Sequence, residues 1–173
     1  EQNINVMGGV WKKLPYTYTL MIIGTLALTG FPLLSGFYSK DAIIEFAYLR
    51  GNTTGYYAAG IGIFTAFLTS IYSWRLIFKT FHGSYNNKKV EFEETHESPI
   101  VMLLPLVLLS IGAIFAGFTF KEIFVGHDGV NNYWGKSIFF LEPLSTAHPP
   151  IWFLILTPIL VTISIPISYY LFV

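Results

Sequence analysis

The stretch GFPLLSGFYSKDAII, residues 30–44, sets two glycines and a proline within an apolar run and follows them with two adjacent charges, Lys40 and Asp41. Read as one helix, residues 14–50 would measure about 55 Å at 1.5 Å per residue, far more than a hydrocarbon core of about 30 Å. Either the span ends near Ser39 and leaves Lys40 at the far surface, or the chain unwinds at GFPLLSG and holds Lys40 at depth. Lysines at helix ends ordinarily snorkel to the surface, which favours the first arrangement. Against it, the segment after Asp41, AIIEFAYL, stays apolar apart from Glu45. Gly30, Pro32 and Gly36 also supply the breakers of a discontinuous helix, the device by which transporters place polar groups at mid-membrane. On these residues alone both arrangements stand.

Outward from this stretch, the 173 residues are 53% hydrophobic and only 12% charged, against about 25% charged in a soluble domain. So few charges cannot cover a water-facing surface, and the composition predicts an all-α, polytopic transmembrane helix bundle. Ten basic and ten acidic residues cancel, which leaves no electrostatic footprint for nucleic acid. The chain has no cysteine, and this excludes a disulfide framework, a thiolate zinc site and cysteine-held iron–sulfur clusters. It opens on Glu1 with a polar segment unlike a signal peptide, as expected of one part of a longer protein.

Runs without charge mark the spans at residues 14–39, 51–74, 98–120 and 149–173. Backbone groups in lipid must be satisfied within their own segment, so the runs read as helices. The predicted organisation is a single membrane domain of about four spans. Its parts are a loop over 1–13, a broken helix over 14–49, helices over 51–80 and 98–120, a loop over 121–148 and a helix over 149–173. Ala58, Ala59, Gly60, Gly62 and Ala66 would let a neighbouring helix approach closely, and Pro158 and Pro166 would shape packing in the last span. Lys12, Lys13, Lys79, Lys88 and Lys89 fall on one side, and Arg50, Lys121 and Lys136 on the other. By the positive-inside rule the Lys12 side faces the cytoplasm or the mitochondrial matrix. His127 and Asp128 sit among glycines and asparagines and read as a turn. His82, His96 and His148 show no ligand spacing and read as interfacial, so no metal site is expected.

A basic residue at the bilayer centre costs roughly 2.5–3.5 kcal/mol, the scale needed to bring a lysine pKa from about 10.4 toward neutrality. Burial would therefore equip Lys40 to exchange protons. Asp41 is adjacent and does not face it, and the residue one turn on is Ile44, so a partner must come from another helix or another subunit. Asp41 and Glu45, four apart, share a face. They either cap or line a wet cavity near the interface, or form a short relay of carboxylates with Lys40 and ordered water.

The segments EQNINVMGGVWKKLPYTYTLMIIGTLALTGFPLLSGFYSKDAI, AFLTSIYSWRLIFKTFHG and HESPIVMLLPLVLLSIGAIFAG resemble, in this order, the antiporter-like chain 5 subunits of respiratory complex I. The MGG loop followed by GFPLLSGFYSKD is the most specific part. The resemblance implies a discontinuous first helix, with Lys40 as a proton-transfer residue on the exit side of a half-channel. Asp41 would be its acidic neighbour and Glu45 a tentative third member. It implies a non-redox subunit of a proton-translocating NADH:ubiquinone reductase, with NAD, FMN, iron–sulfur clusters and quinone bound by other subunits. Partners would be other membrane-arm subunits, the remainder of the same subunit, and lipid, in the mitochondrial inner membrane or a bacterial cytoplasmic membrane. The family's other intramembrane lysine and its histidine-rich helix would lie before Glu1, and its lateral helix after Val173. Two alternatives stay open: the large subunit of a multi-subunit Na+/H+ antiporter, where a glutamate is expected at Asp41, and a structural membrane scaffold.

Overall fold

The computed structural model describes residues 3–85, 92–124, 133–135, 137 and 149–173. Lys88, Lys89, His127, Asp128, Lys136 and His148 lie outside the described residues. The first span is two half-helices, α1 over Pro15–Thr29 and α2 over Ser35–Leu49. At 15 residues each, both measure about 22 Å, too short to cross a membrane singly.

Local chemistry explains the break. Gly30 takes φ +80° at the end of α1, a left-handed conformation that glycine adopts without penalty. Its N–H bonds to Ala27 O, and the N–H of Phe31 bonds to Leu26 O, the paired closure of a Schellman motif. Pro32 then cannot continue the helix, and Leu33 sits at φ +74°, a conformation costly for a residue with a Cβ. At Gly36 the returning chain meets the last turn of α1 so closely that a Cβ would lie 1.8 Å from Ala27 O.

The start of α1 is fixed from far along the chain. Pro15 fills the first position, where its missing N–H costs nothing. The Glu97 carboxylate accepts from Tyr16 N at 3.2 Å, from Thr17 N at 3.1 Å and from Thr17 Oγ1. A negative group on otherwise unpaired N–H groups at the positive end of a helix is doubly favourable.

Among the described residues, three helices are long and apolar enough to cross a membrane: α3 over Thr53–Phe81, α4 over Ile100–Phe124 and α5 over Ile151–Phe172. The Asn52 side chain caps α3 by accepting from Gly55 N at 2.7 Å. α3 and α5 run in the same direction. Phe153 clusters with Ala59 at one end, Ser164 donates to Ser70 midway, and Tyr169 meets Phe78 edge-on at 5.4 Å. Of the five small residues in α3, Ala59 and Ala66 are buried and Gly62 touches Ile44. Ala58 and Gly60 face outward. Pro158 and Pro166 lie within α5 without ending it.

α4 continues one turn past the predicted end at residue 120, so Lys121 and Glu122 are helical rather than loop residues. The charges that read as a helix exit are instead its final turn. At the opposite end of the bundle Gly9 N bonds to His82 O and Lys79 Nζ to Asn5 Oδ1. This gathers the N-terminal segment, with Lys12 and Lys13, at the end of α3. His82, expected as an interfacial residue, is half-buried there, with Tyr18 Oη 2.8 Å from its Nε2 and the rings of Phe78 and Tyr169 beside it.

Gly36→Ala is expected to separate α2 from α1 at a cost of about 1–3 kcal/mol, read as a lower melting temperature and a smaller membrane-inserted yield. His82 supplies a pH prediction. Burial lowers its pKa, so the folded chain binds fewer protons than the unfolded one. Stability is then full above the ordinary histidine pKa of about 6.5 and falls as pH drops through it. Melting at pH 7.5 and 5.5 is expected to show this loss, and His82→Asn to flatten it.

Candidate functional site

Lys40 lies in the second turn of α2 and turns back toward α1. Its stem passes over Gly30, where an added Cβ would sit 3.4 Å from Cδ, and its Nζ donates to Leu28 O and Thr29 O at 3.1 Å each. These carbonyls belong to the last turn of α1, which has no further turn to receive them. They also form the negative end of its dipole. The ammonium therefore caps a half-helix. The partner expected from another helix is present in α1, as backbone rather than as a charged side chain. Gly30 matters twice, since it closes α1 and leaves room for the lysine stem.

Asp41 and Glu45 do not share this face. They line a cleft of about 400 Å³ together with Phe37, Tyr38, Lys121 and Glu122. Lys121 pairs with Glu122 at 3.5 Å and lies over the Tyr38 ring at 5.5 Å, which brings a basic group from α4 to the two carboxylates of α2. A smaller void of about 10 Å³ adjoins Asp41 and Glu45 on the α5 side, against Phe153, Leu154 and Thr157. Of the three residues singled out from sequence, the structure joins Asp41 with Glu45 and sets Lys40 apart. Lys121, Glu122 and Thr157 are additions. The first two were hidden by their reading as a loop, and a threonine in an apolar helix carries no signal of its own. Among the described residues no three histidine or acidic side chains gather as a metal-ligand group. The chemistry on offer is that of carboxylates, two lysines and a hydroxyl.

Residues 1–69, which include this whole α1–α2 unit, match the family described as NADH:quinone oxidoreductase/Mrp antiporter, transmembrane. The chain is 44% identical over 141 residues to NADH-ubiquinone oxidoreductase chain 5 of Marchantia polymorpha, covering 82% of this chain and 21% of that protein. Chain 5 of Metridium senile is 48% identical over 123 residues, 71% of this chain and 20% of the relative. Chain 5 of Arabidopsis thaliana is 40% identical over 141 residues, 82% and 21%. The chain spans about a fifth of the length of the curated relatives it matches.

Lys40→Met keeps the stem and deletes both hydrogen bonds to α1. It is expected to destabilise the α1–α2 junction by about 1.5–3 kcal/mol, the range for hydrogen bonds to a charged group. Lys40→Arg is expected to retain most of that stability, because a guanidinium still donates to both carbonyls. Thermal unfolding of the membrane-inserted protein checks both.

Proposed function

We propose, on the premise that the chain belongs to the NADH:quinone oxidoreductase/Mrp antiporter family of transmembrane proteins, that it forms one part of a proton-translocating membrane subunit of NADH:ubiquinone oxidoreductase. The observation that carries this reading is the Lys40 ammonium on the end of a half-helix. With Lys13 at one membrane surface, the 15 residues of α1 reach about 22 Å inward. Lys40 Nζ is then inside a hydrocarbon core of about 30 Å.

Two opposed forces act on Lys40 at that depth. Low dielectric disfavours its charge, while the carbonyl end of α1 favours it. The side chain is thereby poised, and a cation approaching from a neighbouring subunit would tip it to release a proton. Asp41 and Glu45, with Lys121 opposite, offer proton-accepting groups on the far face of α2. Redox chemistry, with NAD, FMN, iron–sulfur clusters and quinone, belongs in this reading to other subunits of the complex. The outward apolar surface of α4 faces lipid or neighbouring membrane-arm subunits, including the remainder of this subunit. Eukaryotic relatives such as those of Marchantia and Metridium support the mitochondrial inner membrane. The family description also names Mrp antiporters, so sodium/proton exchange is the second reading. Sodium-dependent transport without an electron donor would select it.

The test is NADH-driven proton uptake per NADH oxidised in sealed vesicles holding the assembled complex. Lys40→Ala is expected to lower the ratio while assembly persists. Lys40→Arg is expected to lower it too, because arginine hardly deprotonates in a protein. Asp41→Asn is expected to give a smaller loss. A wild-type ratio in both Lys40 variants would make the lysine a helix cap alone and the chain a scaffold.

A further inference from the structure

We propose that the void between α2 and α5 holds one ordered water bridging Asp41, Glu45 and Thr157, and that Thr157 is the residue that positions it. The inference rests on the function proposed above and adds a third helix to its carboxylate relay.

Thr157 is the sole hydroxyl in the run IWFLILTPILV, residues 151–161, and it is only 4% exposed. Hydroxyls in such helices commonly turn back to the carbonyl four residues earlier, as Thr69 does to Thr65 at 2.7 Å and Thr162 to Pro158 at 2.8 Å. Thr157 makes no such bond, and no other hydrogen bond among the described residues. Among the described residues the hydroxyls sealed without a partner are those of Ser73 and Ser168, whereas Thr157 Oγ1 keeps accessible surface, as a side chain lining a void does. Its side chain lines the void with Asp41 and Glu45. The following residue bears on the same void. Pro158 has no N–H to offer the Leu154 carbonyl, and Leu154 lines the same void.

Volume and valence agree on the occupant. The void measures about 10 Å³, about the space one water requires. Thr157 can donate to a water oxygen while the two water hydrogens point to the two carboxylates. That makes three hydrogen bonds, the usual number for a buried water. With Asp41 protonated, the water turns so that it accepts from the Asp41 O–H as well as from Thr157 and donates to Glu45, and this arrangement passes a proton between the carboxyl groups. When Asp41 is protonated, its O–H bond breaks as an O–H bond forms at the water oxygen. One of the water's own O–H bonds then breaks toward Glu45, which becomes the acid. One proton moves, no electron is transferred, and the water is regenerated. The reverse path runs through the same bonds.

Two measurements on the assembled complex test this. A density map fine enough to resolve waters is expected to show a peak within hydrogen-bond reach of Thr157 Oγ1 and both carboxylates, absent in Thr157→Val. Proton uptake per NADH is expected to fall in Thr157→Val and to recover in Thr157→Ser, which restores the hydroxyl. Valine nearly matches threonine in shape, so a loss reversed by serine reports the hydroxyl and not packing. A dry void in the wild type, or undiminished uptake in Thr157→Val, would overturn the inference even with Lys40 confirmed. The expected Thr157 results beside undiminished uptake in Lys40→Ala would sustain the water and remove the lysine from the path.

Discussion

One ammonium on two backbone carbonyls ties the two half-helices of the broken span, and the placement of Asp41 and Glu45 follows from it. α1 ends in mid-span because Gly30 and Pro32 stop it, and its last carbonyls then have no helical successor to receive them. Lys40 supplies the missing donor. To do so it must lie on the face of α2 that turns toward α1. Successive helical residues are about 100° apart, a consequence of 3.6 residues per turn. Asp41 is thereby carried off that face, and Glu45, four residues on, goes with it. The division between a lysine on one side of α2 and a carboxylate cleft on the other is thus a geometric consequence of the cap.

The rest of the bundle keeps this junction in register. Glu97 anchors the beginning of α1 as Lys40 anchors its end, so both termini of a 15-residue half-helix are held by charges of the sign its dipole prefers. The glycine at position 36 admits α2 against the last turn of α1. Gly117 does the same for α4, where a Cβ would meet Ser35 at 2.4 Å, and this brings Lys121 to the cleft. On the other flank, the Ser164–Ser70 hydrogen bond and the Phe153 contact fix α5 lengthwise along α3. Thr157 arrives at Asp41 and Glu45 through that register, from a helix that carries no charged residue.

Much of this was legible in the sequence, for definite reasons. The breakers Gly30, Pro32 and Gly36 are legible because glycine and proline act on their own backbone, but the residues alone leave open whether the span ends near Ser39 or unwinds and resumes, and the α1–α2 pair decides it. The shared face of Asp41 and Glu45 followed from spacing. What could not be read depended on backbone atoms or on distant segments. A carbonyl carries no sequence letter, so nothing in the residue pattern names the Leu28 and Thr29 carbonyls as the partners of Lys40. Glu97 stands 81 and 80 residues from the two amides it caps, a separation that no local pattern bridges. Lys121 and Glu122 were assigned to a loop because charge after an apolar run ordinarily marks the membrane surface, whereas here the helix continues beneath a cleft. Among the small residues of α3, alternatives such as Ala58 and Ala59 are indistinguishable by composition, and the contact with α5 selects between them.

A cap that can titrate differs in kind from a fixed one. If α1 and α2 are joined through a protonated amine, the strength of the joint depends on the proton, and by linkage the proton's affinity depends on the joint. Motion that draws the two half-helices apart weakens the hold on the charged form and favours release. Motion that closes them favours uptake. A guanidinium would supply the same capping geometry while removing this dependence, since it does not give up its proton. In the proposed function a lysine at this position would couple helix geometry to protonation in a way that neither a neutral donor nor an arginine could, and the joint would be the element on which a neighbouring charge acts.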